Sequence, residues 1–187
     1  MVQLGLYFNQ SRCTGCYACI VACKDWHDVP AGPASWIRVL ANEGGTYPHP
    51  TLSYLFNTCF HCAHPPCVPA CPVGAITKRK EDGIVVVDRE TCLGNVTCSR
   101  LCLEACPHDA PQFGAESGAK MQKCDLCLER WVEGKMPICV EGCQMRALDA
   151  GPLDELKDRY GDHQEAEGFV CSRGVTPSVV FNTRKRV

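Results

Sequence analysis

Sixteen of the seventeen cysteines in this 187-residue chain fall into four groups of four, and in every group three residues separate the last two. The first group is Cys13, Cys16, Cys19 and Cys23, and the second is Cys59, Cys62, Cys67 and Cys71. The third is Cys92, Cys98, Cys102 and Cys106, and the fourth is Cys124, Cys127, Cys139 and Cys143. A cubane iron–sulfur cluster is held by four thiolates; a ferredoxin run takes three from one local loop and the fourth from its partner run. Four such runs make room for four [4Fe-4S] clusters. A chain built this way is expected to conduct electrons.

Two other uses of cysteine compete with that reading. So many cysteines in a short secreted chain would mean a disulfide scaffold. Residues Met1–Tyr7 show no basic segment followed by an apolar core and a small-residue cleavage site, so no signal peptide is expected. Four cysteines between Cys13 and Cys23 would also make cramped disulfide loops. Zinc is the stronger rival, because Cys-x2-Cys pairs form tetrahedral knuckles. A zinc ribbon, however, uses two separated pairs, whereas Cys13, Cys16 and Cys19 crowd three thiolates onto one loop. Iron–sulfur is the better match.

Charge and hydropathy narrow the partners. A formal net charge of −2 argues against a nucleic-acid surface. No apolar run approaches the roughly 20 residues needed to span a bilayer, the best being Ile84–Val87. Any membrane association is expected to run through a partner.

The four groups read as an internal repeat. Alanine stands four residues after the last cysteine in three of them, at Ala75, Ala110 and Ala147. Proline follows Cys71 and Cys106 but not Cys23 or Cys143, which pairs groups two and three, and groups one and four. The expected fold is α+β: two ferredoxin-like four-iron cluster units with extended loops. Residues 1–50 and 114–150 would form one unit, 51–113 an inserted second unit, and 151–187 a C-terminal extension. Strand signals lie at Val2–Phe8, Leu52–Phe56, Ile84–Val87 and Ser178–Phe181. Helix signals lie at Asp125–Glu133 and Pro152–Tyr160, each stopped by glycine. The proline- and glycine-rich stretch Pro30–Pro50 reads as a loop, Asp162–Thr176 as irregular chain, and Arg184–Arg186 as a solvated basic tail.

In the ferredoxin pattern the fourth cysteine of a run is aimed at the neighbouring cubane. Applied here, the rule joins Cys13, Cys16 and Cys19 to Cys143, and Cys124, Cys127 and Cys139 to Cys23. In the second unit it joins Cys59, Cys62 and Cys67 to Cys106, and Cys92, Cys98 and Cys102 to Cys71. Crossing holds the two cubanes of a unit close together, which suits electron tunnelling.

At this point the chain resembles the iron–sulfur electron-transfer subunits of dimethyl sulfoxide reductase-type molybdopterin oxidoreductases. The resemblance covers residues 3–150 and rests on Gln10-Ser-Arg-Cys-Thr-Gly-Cys16 and Asp82-Gly-Ile-Val-Val-Val-Asp88. It rests equally on Cys106-Pro-His-Asp-Ala-Pro-Gln-Phe113, Pro137-Ile-Cys-Val-Glu-Gly-Cys143, and the eleven-residue gap between Cys127 and Cys139. It implies a non-catalytic subunit relaying electrons between a molybdopterin-containing catalytic subunit and a membrane quinone-linked anchor subunit. Such a complex is membrane-associated, with this chain peripheral, in the cytoplasm or co-exported to the periplasm. The alternative is a free-standing soluble polyferredoxin that shuttles electrons by diffusion.

The third group departs from the family pattern, because Asn95 stands where a second cysteine is expected after Cys92. A neutral amide oxygen suits an iron–sulfur core poorly, so Cys98 is expected to take the vacated role. The rival is a [3Fe-4S] cluster, which the resemblance also allows at this place. Cys171 stands outside every group and reads as a free thiol. His61 and His64 lie inside the second cluster loop, where hydrogen bonding to backbone or sulfur is the expected role. His27, His49, His108 and His163 show no dyad pattern, and Trp26, Trp36 and Trp131 read as packing. No glycine-rich phosphate loop supports a flavin or nicotinamide site.

Overall fold

The computed structural model describes residues 2–169 and 174–183. Cys171 and Arg184–Arg186 lie outside the described residues.

A three-stranded sheet ties the two ends of the described chain together. Its central strand, β1 (Leu4–Asn9), alternates Leu6 and Phe8 into the main core with Tyr7 on the opposite face. The long hairpin is β2 (Ile37–Thr46) with β3 (His49–Thr58), and a short one is β4 (Ile76–Lys78) with β5 (Val85–Val87). β6 (Leu148–Pro152) pairs antiparallel with β1, placing Leu148 opposite Phe8. β7 (Val179–Asn182) pairs parallel with β1 on the other side, Phe181 opposite Phe8. The late β-branched segment therefore completes the sheet, as its composition suggests.

Among the described residues, five short helices connect these strands: α1 (Ala18–Trp26), α2 (Leu101–Glu104), α3 (Leu128–Val132), α4 (Ile138–Glu141) and α5 (Leu153–Tyr160). α5 begins after Pro152, ends at Gly161, and covers the Tyr7 face of β1. Leu156 is buried there, and the Tyr160 ring stacks on Tyr7 at 3.7 Å between centroids. α3 is shorter than the Asp125–Glu133 expectation. Leu126 and Cys127 take positive φ values of 59° and 51°, a conformation that cannot lie inside a right-handed helix, so α3 starts only at Leu128.

The stretch Pro30–Pro50 is not a loop throughout. Residues 37–46 pair with 49–58 in register from Ile37 opposite Thr58 to Thr46 opposite His49. The inner end is fixed by burial of Ile37, Leu55 and Phe56, while Gly44, Gly45, Pro48 and Pro50 occupy the exposed outer end. Proline and glycine are tolerated there because the outer end belongs to an isolated two-stranded edge. Their abundance concealed a strand whose register is set by apolar residues further in.

A second core gathers Ile76, Val85, Phe113 and Met121 around cysteines of the second and third groups. Among the described residues no helix is long and apolar enough to cross a membrane.

Candidate metal centres

Each cysteine loop has a left-handed residue at one shared place. The residue before the second cysteine of groups one, two and four has positive φ: Gly15 at 68°, His61 at 45° and Leu126 at 59°. Gly94, at 87°, occupies the same place before Asn95, so the third loop keeps the turn and loses only the thiol. At Gly15 the turn requires glycine, because an added Cβ would fall 2.4 Å from Cε1 of Tyr54. Cys19, Cys102 and Cys139 are each the second residue of a helix, α1, α2 and α4. The last cysteine of each of these groups then follows one helical turn later.

The fold gathers the sixteen thiols into four tetrads. Burial first, then the neighbouring Cys13, Cys143 and Cys16, pushes Cys19 up to about 12 from an ordinary 9.0. Cys23 is pushed to about 12 by burial and then by Cys127. Burial, Cys127 and Cys23 raise Cys139, while Cys124 is raised by burial, then by Cys23, and also by Cys139. Cys62 rises to about 12 through burial, then Cys59, Cys106 and Cys67. Cys102 rises to about 11 through burial, then Cys98 and Cys92, with Cys71 also contributing. Cys98, rather than Asn95, faces the third tetrad.

The tetrads also touch one another electrostatically in a row. Cys139 feels Cys19, Cys124 feels Cys59, and Cys67 feels Cys102. The row runs from the Cys13 tetrad through the Cys124 and Cys59 tetrads to the Cys92 tetrad.

The donor set fits iron–sulfur clusters. None of the sixteen described thiols is in a disulfide. One pocket opens among Cys13, Cys16, Cys19 and Cys143, and another among Cys71, Cys92, Cys98 and Cys102. Thiols held this far above their ordinary range become thiolates only against a strong positive charge, which iron supplies. Backbone N–H groups already point at sulfur: Leu126 donates to Cys124 Sγ at 3.3 Å and Met121 to Cys92 Sγ at 3.4 Å. The repeated alanines share this task. Ala147 donates to Cys143 Sγ at 3.3 Å and Ala110 to Cys106 Sγ at 3.4 Å.

Other side chains near the tetrads carried little or no sequence signal. Lys123 is only 2% exposed, and its ammonium opposes the rise of Cys67. It donates to the carbonyls of Val85 and Cys124. Lys78 donates to Cys62 O at 3.0 Å and Gly83 O at 2.7 Å. Burial, then these two lysines, hold His61 well below its ordinary range, so it is neutral. Its Nδ1 accepts from Val85 N at 3.0 Å, the backbone role expected of it, while His64 is exposed. His27, which shows no dyad pattern in the sequence, brings Nε2 within 3.2 Å of Cys127 Sγ. Trp36 and Cys106 pack against the buried cluster of Cys59, Ala110 and Cys124, where two tetrads adjoin.

Comparison with known proteins follows the same pattern. Two family models described as 4Fe-4S dicluster domain match residues 12–76 and 50–153. A component of the anaerobic dimethyl sulfoxide reductase of Escherichia coli is 45% identical, across 96% of this chain and 88% of the relative. The component of the same name from Haemophilus influenzae is 42% identical, across 99% and 91%. A component of the sulfite dehydrogenase of Allochromatium vinosum is 35% identical, across 83% and 71%. The cysteine framework and these similarities agree: the chain belongs to the 4Fe-4S dicluster family, among the iron–sulfur electron-transfer subunits of the dimethyl sulfoxide reductase type.

Proposed function

We propose that this chain relays electrons through four [4Fe-4S] clusters between a molybdopterin-containing catalytic subunit and a membrane quinone-linked anchor subunit. The observation that carries the reading is the row of four thiol tetrads, each adjoining the next. The proposed ligand sets are Cys13, Cys16, Cys19 and Cys143; Cys124, Cys127, Cys139 and Cys23; Cys59, Cys62, Cys67 and Cys106; and Cys92, Cys98, Cys102 and Cys71. The two ferredoxin-like units correspond to the first and second pairs of these sets. The clusters, when bound, take up and pass on single electrons. The chain's own residues fix their spacing, exclude water and stabilise added negative charge through N–H groups, the half-buried Lys78 and the buried Lys123. No catalytic step belongs to this subunit.

Two apolar ends favour a subunit over a diffusing shuttle. Tyr17 and Met145 line the Cys13 tetrad and are 48% and 43% exposed. Val73, Leu93 and Leu101 line the Cys92 tetrad at the opposite end of the row, and each is about two-fifths exposed. Exposed apolar side chains over both terminal sites are what two docked neighbours would cover. The complex would hold this chain peripherally at a membrane, in the cytoplasm or the periplasm. Purification from the native source under anaerobic conditions tests this. A co-purifying molybdenum- or tungsten-containing protein is expected; a lone, stable, monodisperse monomer would contradict the reading.

A further inference from the structure

We infer that His27 is a positioning residue that raises the reduction potential of the cluster held by Cys23, Cys124, Cys127 and Cys139, through an Nε2–H···Sγ hydrogen bond to Cys127. The inference rests on the ligand sets proposed above.

The geometry is built from both partners' elements. His27 caps α1, and its backbone N–H donates to Cys23 O at 3.1 Å, anchoring it to another thiol of the same tetrad. Its ring lies against Trp36, with 4.5 Å between centroids, and its side chain is 9% exposed. Nε2 is 3.2 Å from Cys127 Sγ. Two carboxylates stand nearby at 3.9 Å, Asp125 from Nε2 and Glu129 from Nδ1, beyond hydrogen-bond reach. Both are already engaged: Cys127 N donates to Asp125 Oδ1 at 2.9 Å, and Trp26 Nε1 to Glu129 Oε1 at 2.7 Å. Sulfur is therefore the acceptor that Nε2 meets.

The direction of the bond follows from chemistry. An iron-bound thiolate has no proton to give, so the ring must donate, with its proton on Nε2. His27, Asp125 and Cys127 could also be read as a separate three-ligand ion site, since their donor atoms lie within 4.8 Å of one another. That reading fails because the Cys127 thiolate is already committed to the cluster and Asp125 Oδ1 to a backbone amide. Among the described residues, this is the one hydrogen bond shorter than 3.5 Å between a side-chain nitrogen and a cysteine sulfur. His61 Nδ1 lies 4.0 Å from Cys59 Sγ and is accepting from Val85 instead.

Reduction adds negative charge that spreads onto the thiolates, so an N–H···S bond strengthens in the reduced state and favours it. Removing the bond should lower the potential of this cluster and leave the other three nearly unchanged. The expected size is about tenfold in the reduction equilibrium, or about 59 mV for one electron.

The test is an anaerobic redox titration of the intact protein with its native partners, followed by electron paramagnetic resonance. A Cys127→Ser variant first identifies which signal belongs to the cluster at Cys127. His27→Phe should lower the potential of that signal by about 59 mV, and His27→Gln, which keeps an N–H donor, should restore much of it. If Cys127→Ser leaves all four signals intact, the ligand set fails and the inference fails with it. If Cys127→Ser alters a signal whose potential His27→Phe does not move, the ligand set stands and the role of His27 is overturned. Equal potentials in the Phe and Gln variants overturn it as well. Should His27→Phe fail to assemble the cluster, pulsed resonance on unmodified protein labelled with 15N-histidine decides. A histidine nitrogen coupled to that signal is expected, and its absence contradicts the bond.

Discussion

The backbone N–H of Gly118 donates to Oδ1 of Asn95 at 2.9 Å, so the residue in the second-cysteine position of the third loop binds protein instead of facing the tetrad. Its Nδ2 also donates to Glu116 O at 3.3 Å, and its own N–H to Ala119 O at 2.9 Å. Asn95 thus fastens segment 116–119 across the third loop. Replacing Asn95 by Ala should cost roughly 1–2 kcal/mol through the two lost side-chain bonds, seen as a lower Tm, with iron content unchanged. Cys98→Ala should instead leave one cluster incomplete, with a three-iron signal in the oxidised protein. Iron loss in the Asn95 variant equal to that in the Cys98 variant would contradict this division of labour.

Cys143 is about as far along the chain from Cys13 as two cluster residues can be, yet its charge acts on both Cys13 and Cys19. Cys143→Ala should therefore damage the cluster at Cys13, Cys16 and Cys19 while the one at Cys124, Cys127 and Cys139 survives. Spectra of the reduced variant, compared with those of a Cys16→Ala variant, check this. Loss of the same signal in both is expected.

Gly15 sits at φ 68° with Tyr54 against its α-carbon. Gly15→Ala combines left-handed strain of roughly 1–2 kcal/mol with a contact that must displace the Tyr54 ring. Iron at the first site should fall, and Tyr54→Ala in the same chain should recover part of it. Gly74, which also has positive φ but meets nothing within 4 Å, is the control: its alanine variant keeps full iron content.

Removal of iron exposes the cost of burying the thiols. Cys19, Cys23, Cys62 and Cys67 are held up at about 12 against an ordinary 9.0. A raised folded-state value favours the protonated thiol in the fold, so its contribution is fully present below pH 9 and disappears as pH rises towards about 12. Iron-stripped protein should lose thermal stability across that window. Cluster-loaded protein, whose thiolates are already deprotonated on iron, should show little of this dependence. Melting curves of both forms at about pH 8, below that window, and at about pH 11, well inside it, make the comparison.

Much of this arrangement was legible in the sequence, and the gaps have physical causes. β1, β5, β7 and α5 were readable because local apolar pattern agrees with tertiary packing there. α1 was concealed because Cys19 and Cys23, one helical turn apart, register as cluster ligands before they register as a helix face. The β2–β3 hairpin was concealed by proline and glycine at its exposed end. Cysteine spacing suggested the ligand sets proposed above, because sulfur geometry around a cubane is stricter than most side-chain packing. His27, Lys78 and Lys123 left no readable mark: each is a single polar residue whose place depends on segments far away in the sequence.

The most direct measurement is iron and acid-labile sulfide content of anaerobically purified protein, with spin quantitation of the fully reduced form. Four complete cubanes predict about sixteen irons and about sixteen sulfides per molecule, with four one-electron centres in reduced protein. About eight irons, or zinc in place of iron without broad visible absorption, would contradict a four-cluster wire.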